Sequence, residues 1–156
     1  MIKCIETTIP GVRILRSDLH IDHRGCFIKY LSSFVIEELD FTVKEVFFSV
    51  SEKNVIRGMH YQKKPFSQRK LVFCLNGACT DVCVDINTER PSFKKIFAHN
   101  LKPLGDALLI DSDIAHGFVA RTDNTILGYI VDEYFDPASD SGIAWDSIDY
   151  EWNVDA

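Results

Sequence analysis

The sequence lacks both a long apolar run and a Cys-x-x-Cys pair. A membrane-spanning helix needs roughly 20 consecutive apolar residues, and no run among the 156 residues approaches that length. Lys3, Glu6 and Pro10 interrupt the N-terminal stretch, which argues against a signal peptide. Five cysteines, an odd number without secretory context, favour reduced thiols. These absences predict a cytoplasmic protein with no membrane partner and no structural zinc site.

Positive charge is also scarce. Lysine and arginine total 17 against 23 aspartates and glutamates, a net charge of −6, which argues against nucleic-acid binding. Five cationic residues nevertheless gather in one stretch, NVIRGMHYQKKPFSQRKLVF, around a single histidine, His60. This concentration predicts a local cationic pocket in an otherwise acidic protein.

Helical periodicity is rare, and alternation of apolar and polar residues dominates. One short helix is expected at 32–39. The predicted strands are 12–17, 25–31, 43–51, 55–61, 69–75, 78–86, 93–100, 107–110, 115–121, 125–135 and 143–145. Many short strands separated by regular turns are typical of an all-β sandwich or barrel. At this length we expect residues 1–156 to form a single jelly-roll domain.

Two local patterns on neighbouring strands carry specific expectations. Asn76-Gly77 is a hairpin signal, because a type I′ turn needs positive φ at both central positions. The strand that follows places Asp81 and Asp85 on one face. Two aspartates on one face indicate either a site or the solvent-exposed side of the sheet.

Two of the five histidines, His60 and His116, lie within or beside apolar strands with a glycine nearby. A metal-binding cupin carries a His-x-His pair, but here Gln62 occupies the second position. The remaining imidazoles and amides are a poor ligand set for iron, manganese or zinc, so we predict no metal.

Acid–base chemistry without a metal fits the same residues. His60 is the candidate base, because imidazole titrates near neutral pH. Arg57, Lys70 and His116 supply positive charge for a phosphate or a developing oxyanion. Tyr129 is a candidate general acid.

Several motifs follow one another from about Asp22 to Trp152: DHRGCF, VIRGMHYQ, SQRKLVFCLNGACTDVCVDI, IAHGF, Tyr129 and YFDPASDSGIAWD. In this order and spacing they resemble the dTDP-4-dehydrorhamnose 3,5-epimerase family. The resemblance implies a cupin-type jelly roll, a homodimer, and a reaction that needs neither metal nor cofactor. It also implies a substrate, a nucleotide-linked 4-keto-6-deoxy sugar that is epimerised beside its ketone.

Carried over by position, the resemblance implies that His60 removes the proton, that Tyr129 returns one to the opposite face, and that Lys70 stabilises the enolate. Arg57 and His116 then hold the diphosphate, with Gln62 nearby. Arg24 and Phe27 resemble members of the nucleotide pocket, which a partner subunit completes.

Three departures from the family pattern affect these expectations. Lys29 stands where the family usually has a glutamate, and Phe47 stands where it has an asparagine; both positions belong to the nucleotide-binding region. The sequence also ends at Ala156, before a tail aspartate that pairs with the family's catalytic histidine. We therefore expect Asp81, Asp85 or another acid to support His60.

Two other interpretations of the same pocket remain open. A 3,4-ketoisomerase would act on the same class of substrate, although that group uses a second histidine where this sequence has Gln62. A non-catalytic module would bind the nucleotide sugar, but it would have no need of His60, Lys70 and Tyr129 together. Deuterium exchange at C3 and C5 distinguishes these interpretations.

Overall fold

The computed structural model describes residues 1–155, whose regular secondary structure is almost entirely antiparallel β-strand. The strands are β1 (Ile2–Glu6), β2 (Val12–Ser17), β3 (Leu19–Asp22), β4 (Gly25–Ile28), β5 (Glu45–Ser51), β6 (Ile56–Gln62), β7 (Lys70–Asn76), β8 (Cys79–Asp85), β9 (Ile96–Leu101), β10 (Ala107–Ile110), β11 (Ile114–Ala120), β12 (Thr125–Val131) and β13 (Asp140–Gly142). A π-helical turn covers Phe34–Glu38, and a 3-10 turn covers Trp145–Ser147. Within residues 1–155, no helix has the length and apolar character needed to cross a bilayer.

The strands form two large sheets and one hairpin. A six-stranded sheet has the order β1-β2-β10-β7-β12-β5, and a five-stranded sheet has the order β13-β6-β11-β8-β9. Within residues 1–155, strands β3 and β4 pair only with each other. The predicted all-β, cupin-type jelly roll with short helices is thereby confirmed.

The main core lies between the two sheets. It combines Val72, Leu108 and Leu127 of the six-stranded sheet with Cys83 and Phe118 of the five-stranded sheet, all of them buried. Strands β8 and β11 are buried at every position; β11 is accordingly apolar except for His116, whereas β8 also buries Thr80 and two aspartates. Each large apolar side chain buried in this way contributes about 1.5–3 kcal/mol of transfer free energy.

Three local predictions differ in detail from the structure. Asn76-Gly77 does not close a hairpin, because β7 and β8 belong to different sheets, and the dipeptide forms the corner between them with Gly77 at φ 77°. The predicted helix at 32–39 is reduced to a π-helical turn. The strand predicted at 143–145 lies earlier, at Asp140–Gly142. Strands β1 and β3 were not predicted.

The aspartates of β8 face the interior rather than solvent. Asp81 and Asp85 are both fully buried. Asp85 accepts hydrogen bonds from Ser92 Oγ and from the backbone N–H of Asn87, so it orders the turn that follows the strand. Asp81 instead lies in the interior between the sheets, where it contacts His116.

Candidate active site

A cavity of about 340 Å³ opens between the two sheets at one end of the jelly roll. Its lining is Phe47, Ser49, Arg57, His60, Tyr61, Gln62, Gln68, Lys70, His116, Phe118, Tyr129, Phe135 and Asp140. The lining combines four basic side chains with several aromatic rings. It can therefore accept an anionic group and an apolar ring in the same space.

The wall formed by the five-stranded sheet carries two histidines and an arginine. His60 of β6 lies directly opposite His116 of β11 in the ladder. The register then shifts, so that Phe118 pairs with Arg57 and β6 has one more residue than β11 in this interval. Residues 57 and 60 would face opposite sides of a regular strand. Because of the bulge, Arg57 and His60 both line the cavity.

Two glycines permit this bulge. Gly58 has φ 148°, and a Cβ atom there would lie 2.7 Å from the Cα of Gly117. A Cβ on Gly117 would lie 2.7 Å from both the carbonyl oxygen of Arg57 and the sulfur of Met59. The glycines in the motifs RGMH and AHGF are therefore required by the close approach of the two backbones.

The opposite wall belongs to the six-stranded sheet and carries Tyr129 and Lys70. The hydroxyl groups of Tyr129 and Ser49 are 3.2 Å apart. Phe47 stacks on the Tyr129 ring, with centroids 4.7 Å apart and planes inclined by 15°. Burial raises the pKa of the Tyr129 phenol well above its ordinary value. The phenol therefore remains protonated and can act as an acid.

Asp81 fixes the orientation of His116. Its carboxylate lies 2.6 Å from Nε2 of the buried His116 ring. A carboxylate at one ring nitrogen sets the tautomer and orientation of a histidine. Of the acids expected to support His60, Asp81 supports His116 instead, and Asp85 is engaged in its turn.

The pKa values of His60 and Lys70 are both lower than the ordinary values of these side chains. Desolvation lowers the pKa of Lys70, which lies at the start of β7 between the sheets. Desolvation also lowers the pKa of His60, and the neighbouring charge of Lys70 lowers it further. A neutral imidazole beside a cationic amine is a suitable pair for removing a proton and stabilising the anion that results.

The structure brings seven of the ten predicted site residues to the cavity. These are His60, Tyr129, Lys70, Arg57, Gln62, His116 and Phe47. The Gln62 amide is engaged by the backbone, because it donates to the carbonyls of Phe66 and Tyr134 and accepts from the N–H of Asp136. Gln62 therefore helps to form the cavity wall, and its amide hydrogens are already bound to backbone carbonyls.

The other three predicted residues lie away from this cavity. Arg24 and Phe27 belong to the β3–β4 hairpin, and Lys29 follows it. Arg24 pairs with Asp22 at 2.6 Å, and Phe27 stacks on His20 with centroids 4.8 Å apart. Their part in nucleotide binding remains a prediction that requires a second copy of the chain.

The predicted site residues omit four polar residues of the cavity lining, Ser49, Tyr61, Gln68 and Asp140. Ser49 contacts the Tyr129 hydroxyl, and Asp140 adds a carboxylate from β13. Neither has a local pattern that marks it, since each is brought to the cavity by strand pairing. Among residues 1–155, no three histidine, cysteine, aspartate or glutamate side chains converge as a metal site would require.

One protein family matches nearly the whole chain. The family model described as dTDP-4-dehydrorhamnose 3,5-epimerase matches residues 6–156. The chain belongs to the dTDP-4-dehydrorhamnose 3,5-epimerase family. A relative of that name from Salmonella typhimurium is 36% identical over 158 residues, which cover 97% of this chain and 86% of the relative.

Solved structures of the epimerase family share the fold. A dTDP-4-dehydrorhamnose 3,5-epimerase from Bacillus anthracis, with TDP and PPi bound, is 34% identical with a TM-score of 0.91, and the match covers 100% of this chain and 93% of that one. An epimerase from Legionella pneumophila in complex with dTDP-4-keto-L-rhamnose is 28% identical with a TM-score of 0.91, covering 99% and 85%. The family therefore includes proteins with bound nucleotide and with bound keto sugar.

Proposed function

We propose that the chain inverts C3, C5 or both of a nucleotide-linked 4-keto-6-deoxy sugar, with a dTDP sugar as the first candidate. The observation that carries this proposal is the placement of His60 on one wall of the cavity, with Lys70 and Tyr129 on the other. A sugar ring between the walls has a base on one face and an acid on the other. Inversion requires that arrangement.

The first step is removal of a proton from the carbon beside the C4 ketone. The C–H bond breaks, the proton goes to the neutral imidazole of His60, and the electron pair moves into an enolate with its charge on the C4 oxygen. Lys70 lies on the facing wall, where its ammonium group stabilises that oxygen.

The second step returns a proton to the opposite face of the same carbon. The Tyr129 phenol donates it, the enolate collapses to the ketone, and the configuration of the carbon is inverted. Solvent then reprotonates the phenolate and removes the proton from His60. Only protons move between substrate and protein, so these two reaction steps need no oxidant, reductant or bound cofactor.

Positive charge at the mouth of the cavity suits the diphosphate. Arg57 is exposed there, and its guanidinium is steadied by Ser51 Oγ at 2.8 Å and the Val50 carbonyl at 3.1 Å. His116, oriented by Asp81, lies deeper. In a homodimer, Arg24, Phe27 and Lys29 of one copy would contribute to the nucleotide site of the other, and Phe47 would border the base.

Deuterium exchange tests the reaction directly. The protein is incubated in D2O with dTDP-, UDP- and GDP-linked 4-keto-6-deoxy sugars, and NMR follows deuterium at C3 and C5. We expect exchange with inversion at one or both carbons. Heat-inactivated protein corrects for the slow exchange that any α-proton of a ketone undergoes.

The alternatives give different outcomes in the same spectra. Movement of the carbonyl from C4 to C3 would identify a ketoisomerase. Tight binding of a nucleotide sugar without exchange in any of the three series would identify a non-catalytic binding module. Either result would overturn the proposed epimerase activity.

A further inference from the structure

The cavity contains one carboxylate to which the proposed mechanism gives no role. Asp140 is the one acidic residue among its lining side chains within residues 1–155. Acids nearby are already paired: Asp81 with His116, Asp132 with Arg69 and Glu133 with Lys44. The Asp140 side chain is instead exposed to the cavity, among basic groups.

Strand pairing places Asp140 on the same face as His60. In the β13–β6 ladder Asp140 lies opposite Gln62, and Gly142 lies opposite His60. Because Gln62 and His60 are two residues apart on β6, they share a face, and Asp140 shares it with them. Gly142 has no side chain, so Asp140 is the residue of β13 whose side chain lies diagonally next to the imidazole.

Backbone hydrogen bonds hold β13 in this position beyond its own ends. The N–H of Lys63 donates to the Ser139 carbonyl at 2.8 Å, and Met59 and Ile143 exchange two bonds of 2.9 Å. The N–H of Asp140 also donates to the Asp136 carbonyl at 2.9 Å. The carboxylate is therefore carried by an anchored strand rather than by a loose loop.

The charges around His60 are otherwise positive. The ionisable groups that face it are Arg57 on its own strand, Lys70 on β7, His116 on β11, Tyr129 on β12 and Asp140 on β13, with Asp81 of β8 behind His116. When His60 takes up a proton, a new cation forms among these cations. A nearby anion is needed to offset the repulsion.

We propose that Asp140 is a positioning residue, whose negative charge stabilises protonated His60 and protonated Lys70 while the enolate exists. The catalytic role of Asp140 rests on the proposed epimerase function. The effect of its charge on the pKa values of His60 and Lys70 can be measured without turnover. Asp140 raises the pKa of both His60 and Lys70, opposing the larger effect of desolvation on each.

NMR titration of the His60 ring tests this charge. Asp140→Asn should lower the His60 pKa by about half to one pH unit, as expected for a charge on a diagonal cross-strand neighbour, which typically lies roughly 7 Å away, in partly solvated surroundings. Asp140→Glu should restore it. Asp146→Asn, which removes the same charge from the neighbouring 3-10 turn outside the cavity, should leave it unchanged. His60→Ala assigns the resonance.

The acid-side limb of the kcat/KM profile should move to lower pH in Asp140→Asn by the same amount, and Asp140→Glu should recover it. A His60 titration in Asp140→Asn identical to wild type, or an equal shift in Asp146→Asn, would overturn the inference. Failure of the proposed function has a different signature, since it appears as absent deuterium exchange in the wild type.

Discussion

Tyr129 shows at the residue scale how neighbours determine what a side chain can do. Its ring lies against Phe47, its hydroxyl reaches Ser49, and burial holds its pKa above the ordinary value. A phenol that stays protonated in place is suited to donate a proton once an enolate forms. Tyr129 should therefore control inversion rather than proton removal.

Replacing Tyr129 with phenylalanine separates these two steps. Tyr129→Phe should still incorporate deuterium beside the ketone, because His60 can remove a proton and return a deuteron on the same face. The product should retain its configuration. NMR of the recovered sugar distinguishes the two outcomes, and Tyr150→Phe, in which the ring stays packed on Trp152, is the matched control. Normal inversion in Tyr129→Phe would refute the assignment.

The displaced ionisation of His60 and Lys70 predicts the pH dependence. The pKa of His60 is lowered from 6.5, so the base stays neutral, and activity persists, below that pH. The pKa of Lys70 is lowered from 10.5. As the pH is raised, Lys70 therefore loses its positive charge, and the enzyme its activity, before the pH reaches 10.5. The kcat/KM profile should be bell-shaped with both limbs displaced to the acid side. Limbs at or above 6.5 and 10.5 would contradict this.

At the scale of elements, the bulge between β6 and β11 builds one wall of the site. It turns Arg57 to the same side as His60, and it depends on Gly58 and Gly117, whose backbones nearly touch. A change at either glycine should therefore affect stability and diphosphate binding together.

Gly117→Ala tests this dependence. The added methyl group meets the Arg57 carbonyl and the Met59 sulfur, and we expect a loss of about 1–3 kcal/mol in the free energy of unfolding. Denaturant titration measures it. Gly105→Ala is the control. The methyl group added there lies 3.1 Å from both the flexible side chain and the carbonyl oxygen of Lys102, and the φ of Gly105 lies outside the left-handed region. Equal stability of the two variants would show that the bulge tolerates a side chain.

The same elements show what the sequence could and could not predict. Alternation located most strands, and the order of motifs identified the pocket around His60, because both are local properties. Residues 57 and 60 have opposite parity, so their common face follows only from the bulge. Asn76-Gly77 suggested a hairpin because a local turn signal does not specify which sheet the next strand joins. Asp140 depends on a long-range strand pairing with no local pattern.

At the scale of the whole molecule, β5 is an edge strand with an apolar outer face. Val46 and Phe48 are 66% and 67% exposed, while Phe47 of the same strand lines the cavity. An exposed apolar edge invites pairing with another chain. A second copy of the chain is the partner that the family resemblance implies.

We therefore expect a homodimer. Wild-type protein at micromolar concentration should sediment with twice the chain mass of 17.8 kDa. Combining Val46→Lys with Phe48→Lys should yield the monomer, whereas Leu75→Lys, at a half-exposed position at the end of β7, should not. A monomeric wild type, or a lysine variant that still dimerises through β5, would contradict this expectation.

The central claim, that His60 is the base of an epimerase pocket, is tested most directly by deuterium exchange in His60→Ala. The variant should lose exchange at C3 and C5 by about 100- to 10,000-fold. Its Kd for the nucleotide diphosphate should stay at the wild-type value, since Arg57 and His116 are unchanged. His99→Ala, which removes a histidine outside the cavity, should exchange normally. Wild-type exchange in His60→Ala would contradict the account.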